Sequence, residues 1–486
     1  MDQAFLATLL RSVNHGESKV SSETQASELY QRLQVRVGQT GPLETARDAV
    51  NSAMIRHWCD ALEDHHPGYT DSDWAKASLH GDLVAPPAML NAWLMRGLLP
   101  PQGTESQTEE GASGAYSDLD AAGYTSVVAT NSEHEYDRYL RIGDLLQGRS
   151  RVEEVSDEKT TGLGVGHFVT TLTEYTNQSG ESVGRMRFRI LKFKPGTGRG
   201  MNQEGEGSTE VPLRPDPGIS LETAFFWDGL EAGELRIQRC EECGVLQHPP
   251  MVRCPACGSY RFDYAVSSGR GRIYSHVEPV HPHFASFEPP YVVGLVELEE
   301  GTRLITNIVD LEPDQVEIGM PVELVVERRN SGRNLPFFRP VRPERRISTR
   351  RLDEVQVGDV LGPCPVPITA TLIVASAIAS RDYQDVHHDR ELAVLRGSPD
   401  IFMNILSTSG LCARYVTDWA GPEALIRKLS IRLGAPNYPH DTMTFYGSVN
   451  SVSGDRVEVG LRGQNRLGPH VTGTVEVELP DRTQSD

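Results

Sequence analysis

The chain has 486 residues, of which 38% are hydrophobic and 23% charged, a composition typical of a folded protein rather than a fibrous or coiled-coil one. The 67 Asp and Glu residues outnumber the 47 Lys and Arg residues and give a formal net charge of −20, which argues against non-specific binding of nucleic acid. The sequence contains neither a transmembrane stretch of about 18 apolar residues nor a signal-peptide pattern. Its length predicts about three domains.

The first predicted domain covers residues 1–200. Its predicted elements are helices at 3–13 and 54–62, a polar loop at 63–71, an apolar stretch at 86–99, and alternating strands at 167–175 and 183–192. Two segments rich in polar and turn-forming residues, 100–116 and 196–218, are predicted to be loops or linkers. The domain therefore combines α and β structure.

Four of the seven cysteines form one compact pattern. Cys240 and Cys243 are separated by two residues, as are Cys254 and Cys257, and ten residues lie between the two pairs. Two such knuckles bring four thiolates to the corners of a tetrahedron, which leaves no open position for a water. We therefore predict a structural zinc at these four residues, with free cysteines or a redox pair as the alternative. The odd cysteine count argues against a disulfide framework and favours the reducing cytoplasm.

Residues 215–343 form the second predicted domain, in which an all-β region follows the cysteine cluster. Strands are predicted at 272–279, 291–298, 303–309 and 322–327. A five-stranded barrel of the OB type fits this pattern. Segments such as VELEEG make these strands acidic, so we do not expect a nucleic acid as the ligand.

The third predicted domain, 344–486, has two helices followed by strands. We predict a short apolar helix at 370–380 and a longer buried helix at 400–419. Four strands are predicted after them, at 428–433, 442–452, 456–462 and 471–479. A buried helix against consecutive antiparallel strands indicates an α+β fold. The same order of elements occurs in 1–200. We therefore predict two copies of one fold with the middle domain inserted between them.

The polar loop of the third domain contains Asp382 and, five residues later, His387. A carboxylate and an imidazole that face one cavity can bind a water, remove its proton and return a proton elsewhere, as the hydration of an activated double bond requires. The spacing alone is weak, since most such pairs are surface residues. In the first domain Asp64 occupies the equivalent place, but Tyr69 stands at the histidine position, and a phenol with a pKa of about 10 is a poor base. We therefore predict that the first copy is non-catalytic.

The loop 380–389, SRDYQDVHHD, resembles the S-G-D-x-N-P-L-H pattern of the MaoC-type (R)-specific enoyl-CoA hydratases, with matches at Ser380, Asp382 and His387. This resemblance implies a hot-dog fold, in which a sheet wraps around a central helix, and it implies that Asp382 and His387 are catalytic. In that family the backbone N–H of a glycine at the start of the long helix polarises the thioester carbonyl. Asn404 stands at that position here, which implies a substrate-binding role for its backbone.

The segments 47–64, 83–90 and 380–389 are similar to a fusion of the two subunits of the actinobacterial steroid side-chain enoyl-CoA hydratases. This resemblance implies two MaoC-like hot-dog domains with an inserted rubredoxin-type zinc ribbon and OB-fold barrel. It also implies a bulky steroid 2-enoyl-CoA as substrate, no redox cofactor, a homodimer, and a thiolase-like aldolase that docks on the ribbon and barrel. A non-catalytic acyl-CoA-binding scaffold for a thiolase is the alternative.

Overall fold

The computed structural model describes residues 28–98, 110–198 and 212–480, with the exception of 283, 285, 288, 329 and 330. The predicted helix at 3–13 lies outside the described residues. In the described part of the chain the strands form an eleven-stranded sheet, a closed five-stranded barrel and a three-stranded sheet. No helix in that part combines the length and the apolar character needed to cross a lipid bilayer.

The N-terminal region contributes six strands and four α-helices, which follow a helical segment at residues 28–36. The strands are β1 (Thr40–Thr45), β2 (Ser126–Tyr136), β3 (Gln147–Val155), β4 (Lys159–Thr160), β5 (Val165–Thr176) and β6 (Ser182–Phe193). The helices are α1 (Ser52–Leu62), α2 (Pro67–Thr70), α3 (Ser72–Ala77) and α4 (Gly111–Ala121). The two strands predicted in this region correspond to β5 and β6, which pair antiparallel.

Helix α4 lies where the sequence predicts a loop, so that prediction is wrong for residues 111–116. Its first residue is small enough to approach β1 closely, since a Cβ on Gly111 would lie 2.8 Å from the backbone N of Gly41. Ala115 and Leu119 of α4 belong to a buried cluster with residues of β3, β5 and the helical segment 28–36. Tertiary packing therefore overrides the turn-rich composition.

The middle region contains the three-stranded sheet and the barrel, preceded by helix α5 (Ala224–Glu231). Its strands are β7 (Arg236–Cys240), β8 (Leu246–Gln247), β9 (Phe262–Val266), β10 (Arg270–Val277), β11 (Val292–Leu298), β12 (Arg303–Ile308), β13 (Pro321–Glu327) and β14 (Leu335–Pro340). The strand order is β8-β7-β9 in the small sheet and β10-β11-β12-β14-β13 around the barrel. The sequence predicts every barrel strand except β14, whose two prolines disguise its strand pattern.

The C-terminal region contributes five strands and three helices. The strands are β15 (Val360–Ile368), β16 (Leu425–Leu433), β17 (Asp441–Ser453), β18 (Arg456–Asn465) and β19 (Gly468–Glu478). The helices are α6 (Ala370–Ala379), α7 (Arg390–Leu395) and α8 (Ile405–Ala420). Helix α8 is buried along most of its length and begins later than predicted, because the Asn404 side chain accepts a hydrogen bond from the backbone N of Ser407 and caps the first turn.

The two outer regions share one sheet, with the order β1-β3-β5-β6-β2-β16-β19-β18-β17-β15 and with β4 paired to β5. The junction is the antiparallel pair β2–β16, in which Lys428 lies opposite Glu135. One buried hydrophobic cluster contains residues of both halves. Helix α8 also crosses α1 closely, since a Cβ on Gly410 would lie 2.4 Å from Cδ1 of Leu62. The predicted fold class, an α+β double hot dog with an inserted ribbon and OB-type barrel, is confirmed.

The barrel lies on the face of the large sheet opposite α8. Side chains alternate along β17, so that Met443 and Phe445 belong to the core and Thr444 faces the other way. The Thr444 hydroxyl donates a hydrogen bond to the carbonyl O of Asp310, in the loop after β12, at 2.7 Å. A crevice of about 910 Å³ remains between barrel and sheet.

Candidate active site

The turn that follows α6 places Asp382 inside the protein. The helix ends at Ala379, and Arg381 adopts a left-handed conformation with a φ of 59°. The Asp382 N–H then donates back to the carbonyl O of Ala377 at 2.9 Å. The left-handed region favours glycine, so the backbone conformation explains the glycine of the related motif, and Arg381 accepts it at a cost of about 1–2 kcal/mol.

The His387 ring is held with one nitrogen facing Asp382. Its Nδ1 lies 2.7 Å from the carbonyl O of Phe402, and because a carbonyl only accepts, the neutral ring carries its proton on Nδ1. The lone pair is therefore on Nε2, which lies 3.6 Å from Oδ2 of Asp382. Both residues are 6% exposed. The structure thus brings the two predicted catalytic side chains together in a buried position.

Asn404 connects this pair to the start of α8. Its Nδ2 donates to Oδ2 of Asp382 at 3.1 Å and to Oγ of Ser380 at 3.0 Å, while its Oδ1 accepts from the backbone N of Ser407 at 2.8 Å. Among the described residues, no acceptor is bound to the backbone N–H groups of Asn404 and Ile405. Free N–H groups at a helix N-terminus stabilise developing negative charge.

Sequence reasoning identified Asp382, His387 and the backbone of Asn404 but missed two partners. The carbonyl of Phe402 fixes the His387 tautomer, and no residue-type signal reveals a carbonyl contact. The amide of Asn404 contacts Asp382, although the hydrogen-bonding capacity of an Asn before a buried helix could have suggested it. The arrangement combines two proton acceptors with helix N–H donors, which suits the activation of a water beside a polarised carbonyl.

The N-terminal copy repeats the backbone of this loop. Glu63 follows α1 in a left-handed conformation with a φ of 50°, and the Asp64 N–H donates to the carbonyl O of Cys59 at 2.8 Å. The Val84 N–H donates to the carbonyl O of Gly68 at 3.1 Å. The equivalent bond in the other copy runs from the Phe402 N–H to the carbonyl O of Val386. These matched bonds place Tyr69 at the position of His387, as predicted from the sequence.

The side chains and N–H donors of the C-terminal loop are not repeated at the matched positions of this copy. Burial raises the pKa of the Tyr69 hydroxyl well above its usual value, so the phenol keeps its proton near neutral pH and does not supply the phenolate that could act as a base. Pro86 and Pro87 stand at the positions of Asn404 and Ile405, where Pro86 precedes a 3-10 turn instead of a long helix. Prolines carry no N–H, so this loop offers no backbone donors at that place.

Ion pairs connect the end of α1 to α8 and to the segment that follows the barrel. Arg414 of α8 donates to the carbonyl O of Leu62, and its Nε lies 3.5 Å from Asp418. Arg342 lies 3.1 Å from Glu63. Asp64 is buried beside this group. Burial raises the pKa of Asp64 to about 7, and the Asp418 carboxylate adds to this rise. A hydrogen bond from the backbone N–H of His66 acts in the opposite direction but does not cancel it.

The four cysteines of the ribbon converge on one point. Sγ of Cys240 lies 3.6 Å from that of Cys257, the same distance separates Cys243 from Cys254, and all four sulfurs lie within 4.8 Å of one another. Four sulfurs bound at about 2.3 Å to a tetrahedral zinc would be about 3.8 Å apart. The donor set and its spacing therefore fit zinc, which would be structural because the four thiolates close its coordination sphere.

We expect Asp64→Asn to stabilise the protein at alkaline pH. The folded state raises the pKa of Asp64, so the contribution of this carboxyl to stability is present below its unfolded pKa of about 4 and is lost as the pH rises through about 7. A neutral amide avoids that loss. Urea unfolding at pH 5 and pH 8 should show an advantage of the variant that increases with pH. The exposed Asp60→Asn should show no such increase, and a variant that is less stable at both pH values would contradict the expectation.

We expect about one zinc ion per chain by atomic absorption spectroscopy. Cys254→Ser should lower the zinc content and speed proteolysis within residues 236–266, because the metal links the two knuckles. Cys364→Ser, outside the cluster, is the matched control and should retain zinc. Full zinc retention in Cys254→Ser, or a wild-type protein without zinc, would be inconsistent with this site.

Comparisons with known proteins identify the same three parts of the chain. Family models match a FAS1-like dehydratase domain region at residues 37–186, the ChsH2 rubredoxin-like zinc ribbon domain at 227–263 and the ChsH2 C-terminal OB-fold domain at 264–327. A solved structure described as a MaoC-like dehydratase has a TM-score of 0.51 at 17% identity and covers 92% of this chain and 100% of its own. That likeness supports the fold.

Three curated relatives are hydratase subunits. A probable enoyl-CoA hydratase alpha subunit from Thermomonospora curvata is 43% identical over 320 residues, which are 64% of this chain and 97% of the relative. The alpha subunit of the Mycobacterium tuberculosis 3-oxo-4,17-pregnadiene-20-carboxyl-CoA hydratase is 40% identical, with 57% of this chain and 86% of the relative covered. The beta subunit of that hydratase is 53% identical, with 26% of this chain and 97% of the relative covered.

One further relative belongs to a different enzyme. The benzoylsuccinyl-CoA thiolase subunit BbsA of Thauera aromatica is 31% identical over 110 residues, which are 21% of this chain and 75% of that subunit. The hydratase relatives are matched over nearly their whole length. The chain therefore belongs to the MaoC-like enoyl-CoA hydratases and matches both the alpha and the beta subunit of such an enzyme within one polypeptide.

Proposed function

We propose that Asp382 and His387 add water to the 2,3-double bond of a bulky, steroid side-chain 2-enoyl-CoA. The observation that carries this proposal is the distance of 3.6 Å between His387 Nε2 and Asp382 Oδ2, in a buried position beside the start of α8. An imidazole lone pair and a carboxylate at this separation can both accept hydrogen bonds from one water.

The proposed reaction uses three groups of this chain. The backbone N–H of Asn404 binds the thioester oxygen and stabilises the negative charge that develops there. The water oxygen forms a bond to C3 while its proton passes to Nε2 of His387, the nitrogen left free by the bond from Nδ1 to Phe402. Asp382 orients the water and stabilises the imidazolium. Protonation at C2 by the pair then completes the addition.

A groove beside this loop is proposed to hold the coenzyme A portion. It has a volume of about 690 Å³, lies between α1 and α6, and has apolar walls that include Met54 and Ile378. Arg47, Arg381 and Tyr383 also line it, as do the carboxylates Asp48 and Asp60. Guanidinium groups pair well with phosphates, and Arg381 is adjacent in sequence to Asp382, so a thioester in this groove would reach the buried pair.

The proposal of a bulky acyl group rests on the names of two curated relatives. The Mycobacterium tuberculosis relatives are named for a pregnadiene-carboxyl-CoA, which is a steroid thioester of this size.

Substitution of the pair tests the hydratase site. Asp382→Asn and His387→Ala should each lower kcat by about 10²–10⁴-fold, because each removes a proton acceptor. The loss of enone-thioester absorbance with a steroid 2-enoyl-CoA measures the rate, and a straight-chain 2-enoyl-CoA should be the poorer substrate. Tyr69→Phe, at the matched position of the other copy, should keep the wild-type rate. Full turnover in both active-loop variants would overturn the catalytic assignment, and a wild-type chain without turnover would favour the scaffold.

We propose further that a thiolase-like aldolase docks on the barrel. Tyr274 and Val277 of β10 and Ile305 of β12 are exposed large apolar residues, and β11 joins their strands. Exposed apolar patches of this kind mark interaction sites. The similarity to a thiolase subunit supports a thiolase-like partner for this chain.

Co-elution with a purified thiolase-like aldolase tests this surface. Ile305→Asp places a charge in the patch and should weaken the complex in size-exclusion chromatography with light scattering, while hydration by the chain alone is unchanged. Leu163→Asp, at an exposed residue of the N-terminal region, should bind normally. Equal complex formation by both variants would contradict the proposed face. The mass of the chain alone in the same run tests the proposed homodimer.

A further inference from the structure

We propose that the Asn404 side chain is a positioning residue for hydration, which acts by fixing the carboxylate of Asp382. This inference rests on the proposed role of Asp382. Its basis is that the two ends of one side-chain amide have different partners. The oxygen caps helix α8, and the NH₂ group contacts the carboxylate of Asp382. Asn404 thus has a role for its side chain that is separate from the backbone N–H proposed to bind the thioester.

The helix sets the orientation of the amide. Oδ1 of Asn404 accepts from the backbone N of Ser407 at 2.8 Å and from Oγ of Ser407 at 2.5 Å. A rotated amide would turn its NH₂ group toward the Ser407 N–H, donor against donor, and its oxygen toward a carboxylate. Asn404 and Ser407 are 3% and 0% exposed, so water does not compete for these groups. Nδ2 must therefore face Asp382.

The amide in turn limits the motion of Asp382. Nδ2 donates one proton to Oδ2 of Asp382 and the other to Oγ of Ser380, whose hydroxyl donates to the carbonyl O of Ala377. Oδ2 is also the oxygen nearest to Nε2 of His387. A donor on this oxygen fixes the plane of the carboxylate relative to the imidazole.

The N-terminal copy provides an internal comparison. Pro86 stands at the same spacing from Asp64 that separates Asn404 from Asp382, and it has neither an amide nor an N–H. Asp64 instead accepts from the backbone N of His66 at 3.1 Å. The amide donor thus accompanies the copy that has the histidine.

Two substitutions separate positioning from capping. Asp and Ser both cap helices about as well as Asn, so Asn404→Asp and Asn404→Ser should melt within a few degrees of the wild type. Asn404→Ser lacks the amide donor and should lower kcat about tenfold with little change in KM. Asn404→Asp puts a second carboxylate beside Asp382. Because two adjacent carboxylates resist simultaneous ionisation, the acidic limb of its kcat–pH profile should move up by about one pH unit.

Asn51 is the matched control, since its Oδ1 caps α1 by accepting from the Met54 N–H at 3.0 Å. Asn51→Asp should leave kcat and the pH profile unchanged. The proposal is overturned if kcat of Asn404→Ser equals that of the wild type. It is also overturned if the activity losses at position 404 only follow losses of melting temperature, or if a folded Asn404→Asp keeps the wild-type acidic limb. Activity of Asp382→Asn would instead refute the proposed function itself.

Discussion

The antiparallel pairing of β2 with β16 is the contact on which the rest of the molecule depends. It joins the six strands of the N-terminal half and the five strands of the C-terminal half edge to edge in one sheet, so that neither half leaves this edge unpaired. The two halves then share one hydrophobic core, and α8 of one half packs against α1 of the other. The loop with Asp382 is consequently bordered by both copies, and the side chains that hydrogen-bond to Asp382 and Ser380 in the described residues come from the C-terminal one.

The duplicated loops show that backbone geometry and chemistry can separate after duplication. Glu63 and Arg381 both adopt the left-handed conformation, and Asp64 and Asp382 both donate their N–H to the helix before them. These constraints belong to the fold and are retained in both halves. The C-terminal loop has an imidazole five residues after its aspartate and N–H donors at the start of α8, whereas Tyr69 and Pro86 stand at these places in the N-terminal loop. The buried Asp64, whose pKa is raised to about 7, retains the carboxyl group but accepts its hydrogen bond from the backbone N–H of His66 instead of from an amide side chain.

Local patterns were sufficient for much of the fold. The cysteine spacing predicted the metal-ligating cluster, the alternation in VEVGLR predicted β18, and a segment that is apolar on most faces of a helix predicted α8. Features that depend on tertiary contacts were not predictable in this way. Helix α4 forms because Ala115 and Leu119 find a buried cluster, despite a composition typical of a loop. Strand β14 closes the barrel because it pairs with β12 on one side and with β13 on the other. These pairings are tertiary contacts, whereas the prolines of β14 interrupt its local strand pattern.

The site shows the same division between local and distant information. Asp382 and His387 are five residues apart and could be paired from the sequence, but the groups that orient them lie 15 and 22 residues further along the chain. A helix start needs an acceptor for its free N–H groups, and a buried carboxylate needs a donor. One amide meets both needs. Its side chain turns into the loop, so the backbone N–H of Asn404 is left unobstructed.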